Sequence, residues 1–522
     1  MRTEVLIIGG GATGTCLARD LTLRGIPCVL VEGRDINAGA SGNNHGLLHS
    51  GARYVATDPA SALECRNESQ ILKRIAPQCI DDTGGLFAAV PGDDEDYIEK
   101  FPRVCGNAGV ECHPLTRREA LELEPGLNQN LIAAFAVNDA AINPFQLALD
   151  CLTEALQGGC RYASHRKVTA LDRAGGGPVT AVRLLNVKTG KELWIRPELI
   201  VNASGAWSGE VVKQAGLSLE MISSKGTLAV TASRLCGQVI NRLRPPDDGD
   251  ILVPGGTVSI LGTTSIRLDS LESIRPTTEE VDTIVSQGAA LVPALESTRY
   301  IRSFAGVRPL IKSERPDSDR YANRGYALID HADQGCPNLI TITGGKLTTC
   351  RLMAEKAADL VAAKLGVEAA CRTAVQQLPP SSIGRWTEPG RSLKTWLREP
   401  LKDERIICEC EMVPQSHLQQ LCDSLDEQAV TAELNAFRLR SRLGKGACQG
   451  TFCSVRLTNL LVDENRYSGP EALKEIKAFL SSRWAGQRPV LWGGQLIQAE
   501  LSEALHCGLC GLELRKSSTD DA

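Results

Sequence analysis

Nowhere in the 522 residues is there an uninterrupted apolar run of the roughly 18 residues that a membrane-spanning helix needs, so any link to a membrane must pass through a partner or a surface patch. A large excess of either charge is also missing, and the formal net charge of -5 gives no reason to expect a nucleic-acid partner. Internal repeats and low-complexity tracts are not visible. Nor is there room for a cleavable secretory signal, because Met1-Arg2-Thr3-Glu4 leads straight into an apolar strand and a glycine cluster. The expected compartment is therefore the cytosol. Cysteine, by contrast, is plentiful. Nineteen cysteines in a long chain without a signal point to free thiols or metal ligands rather than to disulfides. Isolated ones such as Cys16, Cys28, Cys65 and Cys151 stand among apolar neighbours and are expected to be small buried hydrophobes.

A chain of this length should divide into roughly two to four domains. Up to about residue 370, β-branched strands alternate with helical stretches, the signature of an α/β fold. Within that span, nucleotide-binding parts are expected at about 1–75, 145–220 and 335–370, and substrate-binding parts at about 76–144 and 221–334. Pro379-Pro380-Ser381-Ser382, Pro389-Gly390 and Pro400 then break the pattern, so 371–403 reads as a linker or loosely packed connector. A cysteine-bearing domain follows at 404–458. The tail, 459–522, reads as helical, with Pro470 at a helix start and Leu473, Ile476 and Leu480 on one face.

The first motif is a nucleotide site. Val5-Leu6-Ile7-Ile8 suits a central parallel strand and delivers the chain into Gly9-x-Gly11-x-x-Gly14. The glycines would serve, in turn, a tight turn, close approach of backbone to a pyrophosphate, and packing of helix on strand. A helix through Leu17, Ala18 and Leu21 stops at Gly25, leaving its positive end toward the phosphates. Cys28-Val29-Leu30-Val31 then ends in Glu32, whose carboxylate favours an unphosphorylated ribose, as in FAD or NAD. Two further strands lead into turns at Ala203-Ser204-Gly205 and Gly344-Gly345-Lys346. The second turn resembles the flavin side of the glutathione-reductase-like FAD fold, which favours FAD over NAD.

The segment Asn44-His45-Gly46-Leu47-Leu48-His49-Ser50-Gly51-Ala52-Arg53-Tyr54 resembles the flavin-flanking loop of the FAD-dependent glycerol-3-phosphate dehydrogenase family. Further matches follow in order: Lys225-Gly226, Gly262-Thr263-Thr264, Gly306-Val307-Arg308-Pro309-Leu310, Arg324 before the strand Tyr326 to Ile329, and Gly344 to Thr349. They cover nearly the whole chain. The resemblance implies an α/β FAD-binding fold of the glutathione-reductase/D-amino-acid-oxidase kind, an α+β substrate domain and a small C-terminal helical iron-sulfur domain. It assigns the cofactor to Gly9, Gly11, Gly14, Glu32, Ser41, Asn44, Gly46, Leu48, Val168, Gly205, Gly344, Gly345, Lys346, Leu347 and Thr348. One departure stands out, since Cys350 occupies a position where relatives commonly place tyrosine.

Chemistry gives the same residues roles. A phosphomonoester needs fixed positive charge and planar donors, which Arg53, Arg308 and Arg324 could offer. By resemblance, Arg308 and Arg324 grip substrate, and Lys346 sits near the flavin pyrimidine edge. His49 is the expected base for the substrate hydroxyl, although a histidine there could equally hydrogen-bond the cofactor. Farther on, Cys408-Glu409-Cys410 and Cys448-x-x-x-x-Cys453 supply four thiolates. They resemble the small 2Fe-2S domain of bacterioferritin-associated ferredoxin, while zinc and free thiols remain alternatives. Cys507 and Cys510 form a lone pair, read as structural or as a contact site.

Together these readings predict a catalytic polypeptide of a larger complex that oxidises glycerol 3-phosphate. Electrons would pass from FAD through a 2Fe-2S cluster to the B and C partner subunits of an anaerobic complex and on to menaquinone, the chain lying on the inner face of the cell membrane. An amino-acid or 2-hydroxy-acid oxidoreductase is the second reading, and an iron-sulfur electron carrier without its own substrate is the third.

Overall fold

The computed structural model describes residues 2–173, 175–272, 274–311, 325–399, 403–428 and 430–512. Its first sheet has a parallel core in the order Arg161–Ala163, Cys28–Val31, Arg2–Ile8, Glu192–Asn202 and Leu339–Gly344, with Tyr326–Asp330 antiparallel at one edge. Val5, Leu6 and Ile7 are wholly buried, as the central strand of a sheet covered on both faces requires. Register decides where the loops emerge. Ile8 stands beside Val31 and Asn202, and Asn202 beside Thr341. The turn at Gly9, the acid Glu32, the turn at Gly205 and the turn at Gly344 therefore leave the sheet along one carboxyl edge, where ligands bind in such folds.

Helices Ala12–Leu23, Pro144–Gln157 and Cys350–Leu365 cover one face of this sheet with Leu17, Leu21, Leu149, Leu152 and Val361. Cys16 lies 3.8 Å from Cys151 and 3.7 Å from Cys350, sulfur to sulfur, in that packing layer. With Cys28 and Cys65, these thiols are buried, as their apolar neighbours suggest.

A nine-stranded sheet takes Gly85–Ala89, Cys112–Leu115 and Ala133–Val137 from one segment and six strands between Met221 and Ile311 from another. Its longest pair, Met221–Thr231 with Tyr300–Ile311, sets Arg308 opposite Ser224 and Gly306 opposite Gly226. The strand's end thus carries Arg308 toward the carboxyl edge of the first sheet.

The connector lies against the first domain. Leu378 is buried and its N–H reaches the carbonyl of Ile75 at 2.7 Å, while Ser381 gives both N–H and hydroxyl to Asp150, at 2.9 and 2.6 Å. Helix Arg391–Arg398 falls where the sequence shows little periodicity. Beyond it, a short strand pair, Ile406–Cys408 with Val413–Pro414, and five helices form the C-terminal part. Leu418, Phe437 and Leu480 belong to the same apolar cluster as the first domain's helices. Helix Gly469–Gln487 has Pro470 in its first turn, and Leu473 is 45% exposed. The buried side includes Ala472, Ile476, Phe479, Leu480, Arg483 and Trp484, so Ile476 and Leu480 of the expected face are kept and Leu473 lies at its edge. No helix among the described residues is long and apolar enough to cross a membrane.

Candidate active site

The three turns and Glu32 at the carboxyl edge, with the loop 44–54, enclose a cavity of about 700 Å³. Gly9, Gly11, Glu32, Ser41, Asn44, Val168, Gly205, Gly344, Gly345, Lys346 and Leu347 line it, as do His49, Arg53 and Arg308. Gly14, Gly46, Leu48 and Thr348 do not. A Cβ on Gly14 would stand 1.9 Å from the Gly9 carbonyl oxygen, so that residue serves the packing of helix on turn. Gly46 faces a second cavity, Leu48 is core, and Thr348 is buried with its hydroxyl accepting the His49 N–H at 3.1 Å. Arg324 lies outside the described residues.

Glu32 closes the nucleotide end. Its two oxygens accept the N–H groups of Gly10 (2.7 Å) and Arg34 (2.8 Å), which counter the upward push that burial gives its carboxyl. Helix Ala12–Leu23 presents its N-terminus to the same cavity, so backbone dipoles and donors face the position of a pyrophosphate.

At the other end, the loop 44–54 is tied down from behind. Ser50 N–H donates to Asp139 at 2.7 Å, and the second oxygen of Asp139 accepts the Asn241 side chain at 3.0 Å. Leu47 and Leu48 pair with Ala141 and Ala140. The loop so held brings Tyr54 between the two halves of the site. Its hydroxyl lies 3.4 Å from His49 Nε2, and the ammonium of Lys346 lies 4.6 Å from the centre of its ring. Arg53 and Lys346 therefore share one cavity.

The arginines differ in what they can give. Arg308 donates to the Thr264 carbonyl at 3.1 Å and to the Thr263 hydroxyl, with its guanidinium lying over Gly226. Arg53 is committed to Asp250, at 2.7 Å, and Arg244 takes the other oxygen of that fully buried carboxylate at 2.8 Å. Tyr54, Thr263 and Thr264 stood inside recognisable motifs without a role. Asp250, 197 positions from Arg53, carried no local signal. His45 is a further addition. Burial and the guanidiniums of Arg308 and Arg53 pull its pKa down to about 3, so it is a neutral imidazole in the cavity wall. Cys350 is 1% exposed and packs on Cys16, part of the core as well as of the cavity rim.

In the C-terminal part, Cys408 and Cys453 act on each other's thiol pKa, as do Cys410 and Cys448. The Cys410 thiol, helped by backbone N–H groups of Phe452 and Gly450, lowers the Cys448 pKa to about 6, while Cys410 itself is pushed up. A Cβ on Gly446 would stand 2.4 Å from the Cβ of Cys410, so a glycine is required for the two loops of this site to approach. Among the described residues no three His, Cys, Asp or Glu side chains are grouped as a metal ion would need them. The donor set and the N–H groups aimed at sulfur still fit a thiolate-held cluster better than free core cysteines. Cys507 donates to the Leu512 carbonyl at 2.6 Å beside the end of its helix.

Comparison with known proteins agrees with this geometry. Residues 4–360 match the family described as FAD dependent oxidoreductase. The chain is 40% identical to the A subunit of the anaerobic glycerol-3-phosphate dehydrogenase of Escherichia coli (strain K12), over 98% of this chain and 97% of that one. It is 38% identical to the A1 subunit of the Haloferax volcanii enzyme of the same name, over 96% and 90%. The chain belongs to the FAD dependent oxidoreductases, and within them to the family of anaerobic glycerol-3-phosphate dehydrogenase A subunits. The glycerol-3-phosphate dehydrogenase of Bacillus halodurans, solved with FAD, shares the fold with a TM-score of 0.58 at 20% identity, covering 99% of this chain and 96% of its own. The L-proline dehydrogenase of P. horikoshii also reaches 0.58, over 70% and 94%.

Proposed function

We propose that the chain binds FAD along the first cavity and oxidises sn-glycerol 3-phosphate to dihydroxyacetone phosphate. The observation that carries this is the meeting of the loop 44–54 with the turn at Gly344–Lys346 over one cavity that Arg308 also enters. The family and the names of the relatives support the same reaction. Bound FAD supplies a hydride acceptor.

The protein's own groups do the rest. Arg308, with Arg324, holds the phosphate or hydroxyls by charge-assisted bonds. Lys346 and the helix behind it put positive potential beside the ring that gains negative charge. The C2 hydroxyl proton goes to His49, whose Nε2 is within reach of the Tyr54 hydroxyl. His45 is a poor base, because burial and two guanidiniums disfavour its protonated form. Steady-state turnover with glycerol 3-phosphate and with glycerol tests the substrate reading. Loss of the phosphate should abolish turnover, and equal rates with an amino acid or 2-hydroxy acid would overturn it.

We further propose that Cys408, Cys410, Cys448 and Cys453 hold a 2Fe-2S cluster. Electrons then leave to the B and C partner subunits and to menaquinone, with this chain on the inner face of the membrane. Support comes from the four thiols and from relatives that are themselves named as parts of a complex. It comes also from Ile497, Leu501 and Leu505, exposed on a helix whose His506 reaches the Thr451 carbonyl at 2.8 Å. Iron and flavin counted on anaerobically purified protein test it. Two irons per flavin are expected, and zinc or no metal would contradict it.

A further inference from the structure

A second cavity, of about 1350 Å³, opens behind the loop 38–46, between the nine-stranded sheet and the C-terminal helices. It shares Asn44 and His45 with the first cavity, and the proposed reaction uses none of its cations. Nine Arg and Lys side chains line it, among them Arg302, Arg438, Lys445 and Arg483. Arg483 is only 4% exposed, gives one bond to the Gln449 side chain, and keeps a buried Nε without a hydrogen-bond partner. The Lys445 ammonium also has no hydrogen-bond partner and rests 3.9 Å from the centre of the Phe145 ring. Arg438 reaches the Asn435 amide, at 2.9 Å, and Arg302 the Ser303 carbonyl, at 3.2 Å.

The acids around the cavity are spoken for. Asp35 is held by Arg440, Glu388 by Arg391 and Lys394, Glu433 by Lys188, and Asp81 faces Arg234. Among the described residues lining it, Glu475 remains to set against the four cations. A buried guanidinium without a carboxylate is costly, and burial depresses Arg483 to about 9 with no charged neighbour contributing. Lys445, already disfavoured as a cation by burial, is disfavoured further by Arg442 and Arg438 nearby, and Glu411, itself held by Arg442, only partly offsets them. A cluster of this kind gains most from an anion of more than one charge.

We propose that this second cavity binds a phosphate-bearing anion, with Arg483 and Lys445 as its principal ligands. Arg438 and Arg302 add field and direct donors, and Phe145 and Phe304 provide apolar wall for whatever carries the phosphate. Because Gln449 bridges Arg483 to the Gly446 carbonyl, the site adjoins the turn that carries Cys448.

The test is equilibrium dialysis of labelled inorganic phosphate against the full FAD-loaded chain and its Arg308→Gln, Arg483→Gln and Lys445→Gln variants. Two sites per chain are expected. One should depend on Arg308, and the other should weaken at least tenfold in both Arg483→Gln and Lys445→Gln at unchanged flavin content. Sulfate should displace phosphate from the second site and acetate should not. A single site lost with Arg308→Gln, a second site indifferent to both cavity variants, or acetate competing as well as sulfate would overturn the proposal. If Arg483→Gln does not fold, Lys445→Gln decides. Two sites that both survive Arg308→Gln would count against the substrate reading alone, so the two ideas fail separately.

Discussion

Arg440 places its two terminal nitrogens on the carboxylate of Asp35, at 2.6 and 2.9 Å, with both side chains buried. The pair joins the helix before Cys448 to the loop that follows Glu32, and Tyr162 adds a hydroxyl to the same carboxylate at 3.0 Å. The cysteine segment is thereby tied to the nucleotide fold. Removing one partner strands a buried charge, so Arg440→Met should cost about 3–5 kcal/mol, read as a lower midpoint of the first urea transition. Asp35→Leu combined with Arg440→Met should cost less than the sum of the single changes. Strict additivity would show that the two residues do not form a unit.

The same pair sets a pH dependence. Burial pushes the Asp35 carboxyl up, but the Arg440 guanidinium outweighs it and holds the folded value below the usual one. Unfolded, the group titrates near about 3.9. The unfolded chain binds the proton more readily, so the stabilisation is complete above about pH 4 and is lost as pH falls through the lowered folded value. Acid unfolding of the wild type should therefore be steeper in this window than that of the Asp35→Leu, Arg440→Met double variant. Calorimetry across the range measures it, and equal slopes would contradict it.

Gly226 leaves room for Arg308. A Cβ there would meet the guanidinium at 2.6 to 2.9 Å, a distance that forces the longer side chain to move. Gly226→Ala should raise KM for glycerol 3-phosphate about tenfold, equivalent to roughly 1.4 kcal/mol, while flavin content stays as in the wild type. Unchanged KM would remove Arg308 from substrate binding.

His49 and His45 separate by their surroundings. His49→Gln should lower the rate of flavin reduction about 100- to 10,000-fold, the usual contribution of a positioned base. His45→Gln should lower it much less, because an imidazole with a pKa near 3 is a poor proton acceptor at neutral pH. The reverse order would move the base to His45.

Most of the nucleotide half was legible because it is local. A strand, three glycines, a helix and an acid lie within the first 32 residues, and the structure puts the helix end where Gly25 suggested. The motifs of the loop 44–54 and the turn at 344–346 pointed to one cavity that the structure forms, yet its wiring was not legible. Asp250 meets Arg53 across 197 positions, and Arg440 meets Asp35 across 405, distances over which composition and periodicity carry no signal. The same reason hid the packing of the connector, where Ser381 is buried against Asp150 although its neighbours read as a proline-rich break. On helix Gly469–Gln487 the element and two residues of its face, Ile476 and Leu480, were right, and Leu473 was not. Phe479 and Arg483, which the spacing left aside, take the buried side because the turns bearing Gly444 and Gly450 press on the Phe479 ring.

The most direct measurement is anaerobic mixing of the FAD-loaded chain with glycerol 3-phosphate while the flavin absorbance is followed. Rapid bleaching that saturates with substrate, and is lost in Arg308→Gln, is the expected result. A flavin that stays oxidised under those conditions, yet is reduced by dithionite, would contradict the proposal that this cavity oxidises glycerol 3-phosphate.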